Sequence, residues 1–331
     1  MAIKINLGFG RYLTELNSNK LSQIEHDFGD RCVMCREILD EDTRTAEHIF
    51  PKWLQNRFNL WNTKITLPNK SQTPYRQFTI PCCKECNGGP MSEWEKIIQQ
   101  ATEKGFDEFI KLDEDIIAWW LLKIYYSKLV KELSYKENMR DPHSPMMVSE
   151  SQLFQYKNIY LYMCNLLKGI TYNKPKPYEL YVFRTHGDND FDYLDDISRH
   201  VVYMQMNDIL IVCSFDSFSL FAVQYEKELQ KLNKLEYVHP IQALELFAKI
   251  IYFKTHYKFN TQHETQISST GVMINSEITD IEQTRDFDLL ELHLLLCNVF
   301  KMRGVETNNI PFIEGKMFSM ILAKERPTED T

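Results

Sequence analysis

The spacing of apolar positions changes along the chain, and each change predicts an element. A short amphipathic stretch surrounds Tyr12–Ile24. Residues 31–95 hold no sustained period and are dense in Cys, Pro, Trp and Gly, which predicts short strands and loops ending in a helix. From Met91 the pattern turns helical and stays so to about Leu133. Ile116, Ile117, Trp120, Leu121, Ile124 and Leu129 form an apolar stripe there, with Lys128 inside it. The run MRDPHSPMM (139–147) breaks the helical pattern. A helix is predicted over Ser149–Leu167 and a loop over 169–177. Strands are predicted at Tyr178–Thr185, His200–Met206, Ile209–Phe215 and Ser217–Tyr225, which are rich in Val, Ile, Tyr and Phe. The close spacing of the last three suggests an antiparallel meander. Helices return at Lys227–Leu235, Pro240–Tyr257 and Asp286–Lys301, with Pro240 suited to a first helical turn.

Composition is that of a globular chain: 331 residues, 44% hydrophobic and 25% charged. That length suits about two domains. No apolar run approaches the about 20 residues that cross a bilayer, and the first residues lack the features of a secretory signal. These readings predict a cytoplasmic protein. The net charge of −8 argues against nucleic acid, but its distribution argues otherwise. Residues 1–100 carry 13 Lys and Arg against 12 Asp and Glu, and the rest of the chain carries 25 against 34. From His48 to Lys84 there is no acidic residue, while Lys52, Arg57, Lys64, Lys70, Arg76 and Lys84 are basic. Such a stretch offers a sequence-independent hold on phosphates, or is a solvated loop that lacks acids.

Five of the eight cysteines, at 32, 35, 82, 83 and 86, fall within 55 residues. In a cytoplasmic chain, CxxC pairs point to metal rather than disulfides. Cys32 and Cys35 together with Cys83 and Cys86 can close a tetrahedral thiolate site, the usual geometry of structural zinc. Cys82 with Cys86 would make a CxxxC pair; Cys83 with Cys86 repeats the spacing of the first pair. Cys164, Cys213 and Cys297 lie in apolar surroundings and read as buried small side chains. Between the two pairs stands Glu47-His48-Ile49-Phe50-Pro51, a strand end that Pro51 terminates. A carboxylate at Glu47 suits a hard divalent cation such as Mg²⁺ or Mn²⁺. A neutral imidazole at His48 can take the proton from an attacking water. Asn87 directly follows the second pair, where its amide oxygen would be a second ligand of that cation; a helix cap is the other reading. Gly88-Gly89 then permits a tight turn before the next helix.

Taken together, Cys-x-x-Cys, Glu-His-Ile-x-Pro and Cys-x-x-Cys-Asn resemble the HNH endonuclease family in its zinc-knuckle form. The strings EHIFPKWL and CCKECNGGPMSEWE resemble a bacterial subgroup of standalone HNH proteins. The resemblance covers residues 30–95. It implies a ββα-metal module that hydrolyses DNA phosphodiester bonds, with His48 as general base and Glu47 and Asn87 holding Mg²⁺ or Mn²⁺. It also implies that Cys32, Cys35, Cys83 and Cys86 bind a structural Zn²⁺. One departure is plain: the family's middle Asn, which positions the catalytic His through the backbone, has no counterpart in Arg76–Ile80. Glu95, in the helix start Met91-Ser92-Glu93-Trp94-Glu95, reads as a solvated helix carboxylate, with an extra metal ligand as the other reading.

The expected fold is therefore α+β: an HNH module over residues 1–100, then a mixed helical and antiparallel-sheet domain over 101–331. The second part is acidic and carries no catalytic string. Its seven histidines lack ligand spacing, and Trp119-Trp120 reads as core. Such a domain suits a protein partner, self-association or restraint of the nuclease. Two functions follow. One is a metal-dependent DNA endonuclease, with anti-phage defence as a setting that fits. The other is a zinc-knuckle module that binds nucleic acid or protein without cutting.

Overall fold

In a computed structural model the chain is an α+β protein. The structure describes residues 30–67, 69–133, 135–147, 156–187, 190–268 and 271–307, with short pieces at 312–313, 316–317 and 319–321. The amphipathic stretch expected at Tyr12–Ile24 lies outside the described residues, as does the start of the helix expected from Ser149.

The first strand, β1 (Arg44–His48), leads into helix α1 (Lys52–Arg57). Two short strands follow, β2 (Lys64–Thr66) and β3 (Gln72–Pro74), and then β4 (Thr79–Cys83). Helix α2 (Lys84–Gly88) runs on directly from β4. The helical stretch expected from Met91 to Leu133 is three helices: α3 (Pro90–Lys104), α4 (Phe106–Phe109) and α5 (Glu114–Leu133). Gly105, at φ +88°, makes the first break, because few residues adopt that conformation inside a helix. Helix α6 spans Lys157–Leu167, and β5 (Thr171–Tyr172) follows it. Then come β6 (Tyr178–Arg184), β7 (Phe191–Asp196), β8 (Val201–Met206) and β9 (Ile209–Phe215). Helices α7 (Leu220–Gln224), α8 (Glu226–Asn233) and α9 (Pro240–His256) precede the long strands β10 (Tyr257–Ser268) and β11 (Gly271–Gln283). Helix α10 covers Leu289–Lys301.

The chain forms two compact units, each drawn from two stretches: residues 1–97 with 122–170, and 98–121 with 171–331. Lys123, inside the stretch expected to be a separate accessory domain, thus belongs to the same unit as the cysteines.

In the first unit β1 and β4 pair antiparallel, with Glu47 opposite Ile80 and His48 opposite Thr79. Helix α2 packs on both strands, giving a ββα arrangement with a long insertion between its strands. The first cysteine turn docks on the open side of β4, where Val33 N–H donates to the Pro81 carbonyl at 3.1 Å. Pro81 has no N–H to offer, so its place near that edge costs the ladder little. Tyr160 of α6 donates its hydroxyl to the Met34 carbonyl at 2.7 Å, which ties the same turn from another side.

In the second unit the strands run β6-β9-β8-β7, all antiparallel, so β7, β8 and β9 form a meander. Every residue of β8 and β9 is buried, as befits the two central strands. Helix α9 packs across them and against α10, and its apolar residues build the core with Tyr203, Val212 and Phe221. His239 enters α9 through a capping box with Gln242. Strands β10 and β11 form a long hairpin, which β5 extends in parallel.

One expected strand is wrong. Ser217–Tyr225 contains helix α7, because Asp216, Phe218 and Ser219 all have positive φ and end the extended chain. Phe218, Phe221 and Tyr225 then recur at helical spacing, with the two phenylalanines fully or almost fully buried. The third strand of the meander is β7 instead.

Candidate metal and catalytic site

The four cysteines chosen by spacing converge. One sulfur from each of Cys32, Cys35, Cys83 and Cys86 lies within 4.8 Å of all the others, and this is the one such group of His, Cys, Asp and Glu among the described residues. The Cys35 and Cys83 sulfurs are 3.8 Å apart. Four thiolates at about 2.3 Å from a tetrahedral zinc would be separated by about 3.8 Å. The group could therefore hold a metal ion such as zinc.

Local structure sets up each half. Around the first pair, Cys32 N–H donates to Glu37 O at 2.9 Å and Arg36 N–H to Cys32 O at 3.0 Å. Arg36 takes a positive φ to close the turn. At the second pair Cys83 is the N-cap of α2, and its sulfur accepts from the Cys86 N–H at 3.3 Å. That bond places Cys86 one helical turn beyond Cys83. Gly89 follows because a Cβ there would lie 2.6 Å from the Glu85 carbonyl oxygen, whereas Gly88 has open space. Contacts among the thiols hold the Cys32 sulfur far below the ordinary thiol range, the Cys35 bond first, then those with Cys82 and Cys86. The same contacts with Cys32 raise Cys35 and Cys86, so Cys32 is the first of the cluster to lose its proton. Cys82 stays outside the four. It is fully buried, and its sulfur lies 3.7 Å from that of Cys32. It is not one of the four whose sulfurs converge within 4.8 Å. Cys164, Cys213 and Cys297 are buried, as expected.

Glu47 and His48 are successive residues of β1, so their side chains leave opposite faces. His48 is half-buried and stacks on the exposed indole of Trp61, with ring centroids 5.8 Å apart. Its pKa is lowered, chiefly by burial and then by the Lys52 ammonium, against the pull of Glu47. The imidazole is therefore neutral at pH 7.

Glu47 is buried on the other face and forms an ion pair with Lys123 of α5. Glu95 of α3 is not a solvated carboxylate: its Oε1 accepts from the same Lys123 Nζ at 2.8 Å. The third proton of that ammonium goes to the His48 carbonyl at 2.9 Å. Lys123 is fully buried, and with three acceptors its three donors are satisfied. Burial by itself would lower its pKa, but Glu95 and Glu47 outweigh that and raise it. Burial raises the Glu95 carboxyl against the pull of Lys123.

Asn87 lies on α2 and donates its amide N–H to Thr45 Oγ1 at 2.9 Å. Thr45 in turn donates to the Cys82 carbonyl at 2.8 Å. The two expected ligands of a divalent cation thus hold different partners, Glu47 binding Lys123 and Asn87 binding Thr45. An ammonium already neutralises Glu47, so that carboxylate as it stands does not fit a cation site.

Reasoning from sequence missed Lys123, Glu95 as its partner, and Trp61. A lysine inside an apolar helical stripe was the one available signal for the first. Trp119 and Trp120 are fully buried, as core residues should be. No helix among the described residues is long and apolar enough to cross a membrane. Comparison with models of protein families, with curated proteins and with solved structures gave no match.

Proposed function

We propose that the zinc-organised ββα unit is an HNH-type endonuclease module acting on DNA. Water would attack phosphorus as His48 takes its proton; the bond from phosphorus to the leaving oxygen breaks, and that oxygen gains a proton from solvent. The observation that carries this reading is the state of His48. It is a half-buried imidazole with a lowered pKa, stacked on Trp61 at the end of a strand whose partner runs into the cysteine-bearing helix. A neutral imidazole has one ring nitrogen able to take a proton. The acid-free stretch from Lys52 to Lys84 supplies positive charge for the phosphate backbone. Zinc at the four cysteines would serve folding, since a closed thiolate set leaves no place for substrate.

Mg²⁺ or Mn²⁺ at Glu47 and Asn87 belongs to the proposal only through the resemblance. Binding there would require Glu47 to share its carboxylate with Lys123. Anti-phage defence rests on the same resemblance. For residues 101–331 the proposed role is a partner-binding or self-association surface, which the exposed leucines 290 and 294 on α10 support.

The Glu47–Lys123 ion pair favours a second reading, a zinc knuckle that binds DNA without cutting it. Plasmid cleavage by the full-length protein with Mg²⁺, Mn²⁺ or EDTA, beside His48→Ala, separates the two. Cutting that His48→Ala abolishes supports the nuclease; binding without cutting under every condition supports the second reading.

A further inference from the structure

We infer that Lys123 is the positioning residue of His48: its buried ammonium locks the end of β1 from the face opposite the imidazole. The inference rests on the nuclease reading for its catalytic consequence and on geometry alone for the contact. The peptide unit that follows His48 is held at both ends. Its carbonyl accepts from Lys123 Nζ at 2.9 Å, and the N–H of Ile49 donates to Phe78 O at 3.1 Å. Glu47, one residue earlier, is anchored by the same ammonium, and Glu95 fixes that ammonium from α3 at 2.8 Å. Two consecutive strand residues are thus tied to one point inside the fold. Alternation along the strand then directs the imidazole to the other face, onto Trp61.

Every donor of the ammonium is used and Lys123 is fully buried, so the arrangement is over-determined. Removing Lys123 would leave the buried Glu47 carboxylate and the part-buried Glu95 carboxylate facing each other with no cation between them. Their repulsion acts directly on the end of β1 and so on the angle at which His48 leaves the strand. The missing middle Asn of Arg76–Ile80 finds a functional substitute here, contributed by a helix far along the chain.

The test uses full-length, zinc-loaded protein and the ring ¹⁵N–¹H signals of His48, identified by their loss in His48→Gln. In Lys123→Met we expect one zinc per chain to be retained, with the His48 ring signals shifted or broadened. Turnover on plasmid DNA falls about 100-fold, the scale of a misplacement of about 1 Å, with DNA affinity changed less than about twofold; Lys123→Arg restores part of the turnover. Unmoved His48 signals in zinc-loaded Lys123→Met overturn the inference. Should that variant fail to hold zinc, Lys123→Met with Glu95→Gln removes one of the two carboxylates and with it their repulsion, and the same signals decide. A further measurement needs no variant. In wild-type protein the Lys123 ammonium protons should exchange slowly and couple to the His48 carbonyl carbon; an ammonium in fast exchange overturns the inference. If wild type cuts no DNA, the nuclease reading fails while the ring signals still judge the positioning.

Discussion

The sulfurs of Cys35 and Cys83 stand 3.8 Å apart although 48 residues separate them in the chain. That spacing is the edge of a tetrahedral thiolate site, and it joins the first turn of the module to the start of α2. Purified full-length protein is expected to carry one zinc per chain by elemental analysis. Cys35→Ser or Cys86→Ser should abolish binding, while Cys82→Ser should keep it. Loss of zinc from Cys82→Ser with retention in Cys83→Ser would reverse the assignment. Binding requires deprotonated sulfur, so affinity should fall steadily as pH drops.

Gly88 and Gly89 should respond differently to the same change. A Cβ at Gly89 meets the Glu85 carbonyl oxygen at 2.6 Å, whereas one at Gly88 meets nothing within 4 Å. Gly89→Ala is expected to cost about 1–3 kcal/mol of stability and to weaken zinc binding through displacement of Cys86. Gly88→Ala should change both little. Urea unfolding with zinc titration checks this, and equal effects at the two positions would contradict it.

Breaking the buried charge cluster should be expensive. Lys123→Met leaves Glu47 and Glu95 without their shared cation, which is expected to cost about 3–5 kcal/mol in urea unfolding. Glu95→Gln should cost less, because Glu47 and the His48 carbonyl still satisfy two of the lysine donors. A Lys123→Met variant as stable as wild type would mean that solvent reaches these carboxylates.

Acid should weaken the second unit through His200. Burial, then the charges of Lys254 and Arg199, lower its pKa from 6.5 to about 3. Between those values the unfolded chain takes up a proton that the folded unit refuses. The contribution is thus fully present above about pH 6.5 and is lost as pH falls toward about 3. His200→Gln should flatten this part of the stability profile. Comparing it with wild type cancels the zinc loss common to both, and parallel profiles would contradict the assignment.

Local signals in the chain made part of this legible. The converging cysteines were readable because CxxC spacing is a property of four consecutive residues. The end of β1 was readable because Pro51 cannot extend a strand. The central strands β8 and β9 were readable from continuous apolar runs. What escaped depends on pairing across distance. Lys123 meets Glu47 across 76 residues and Glu95 across 28, and nothing local marks either carboxylate as buried. The β10–β11 hairpin escaped because its strands are polar and largely exposed on both faces, so no alternation announces them. That Asn87 sits near the end of α2 and turns its amide to Thr45 was not readable.

The central claim is that His48 is a general base for DNA cleavage, and plasmid nicking by wild type and His48→Ala tests it most directly. The account predicts nicking or linearisation by wild type and its loss in His48→Ala, with zinc content and DNA binding unchanged. Cleavage of the same rate by both proteins would contradict it.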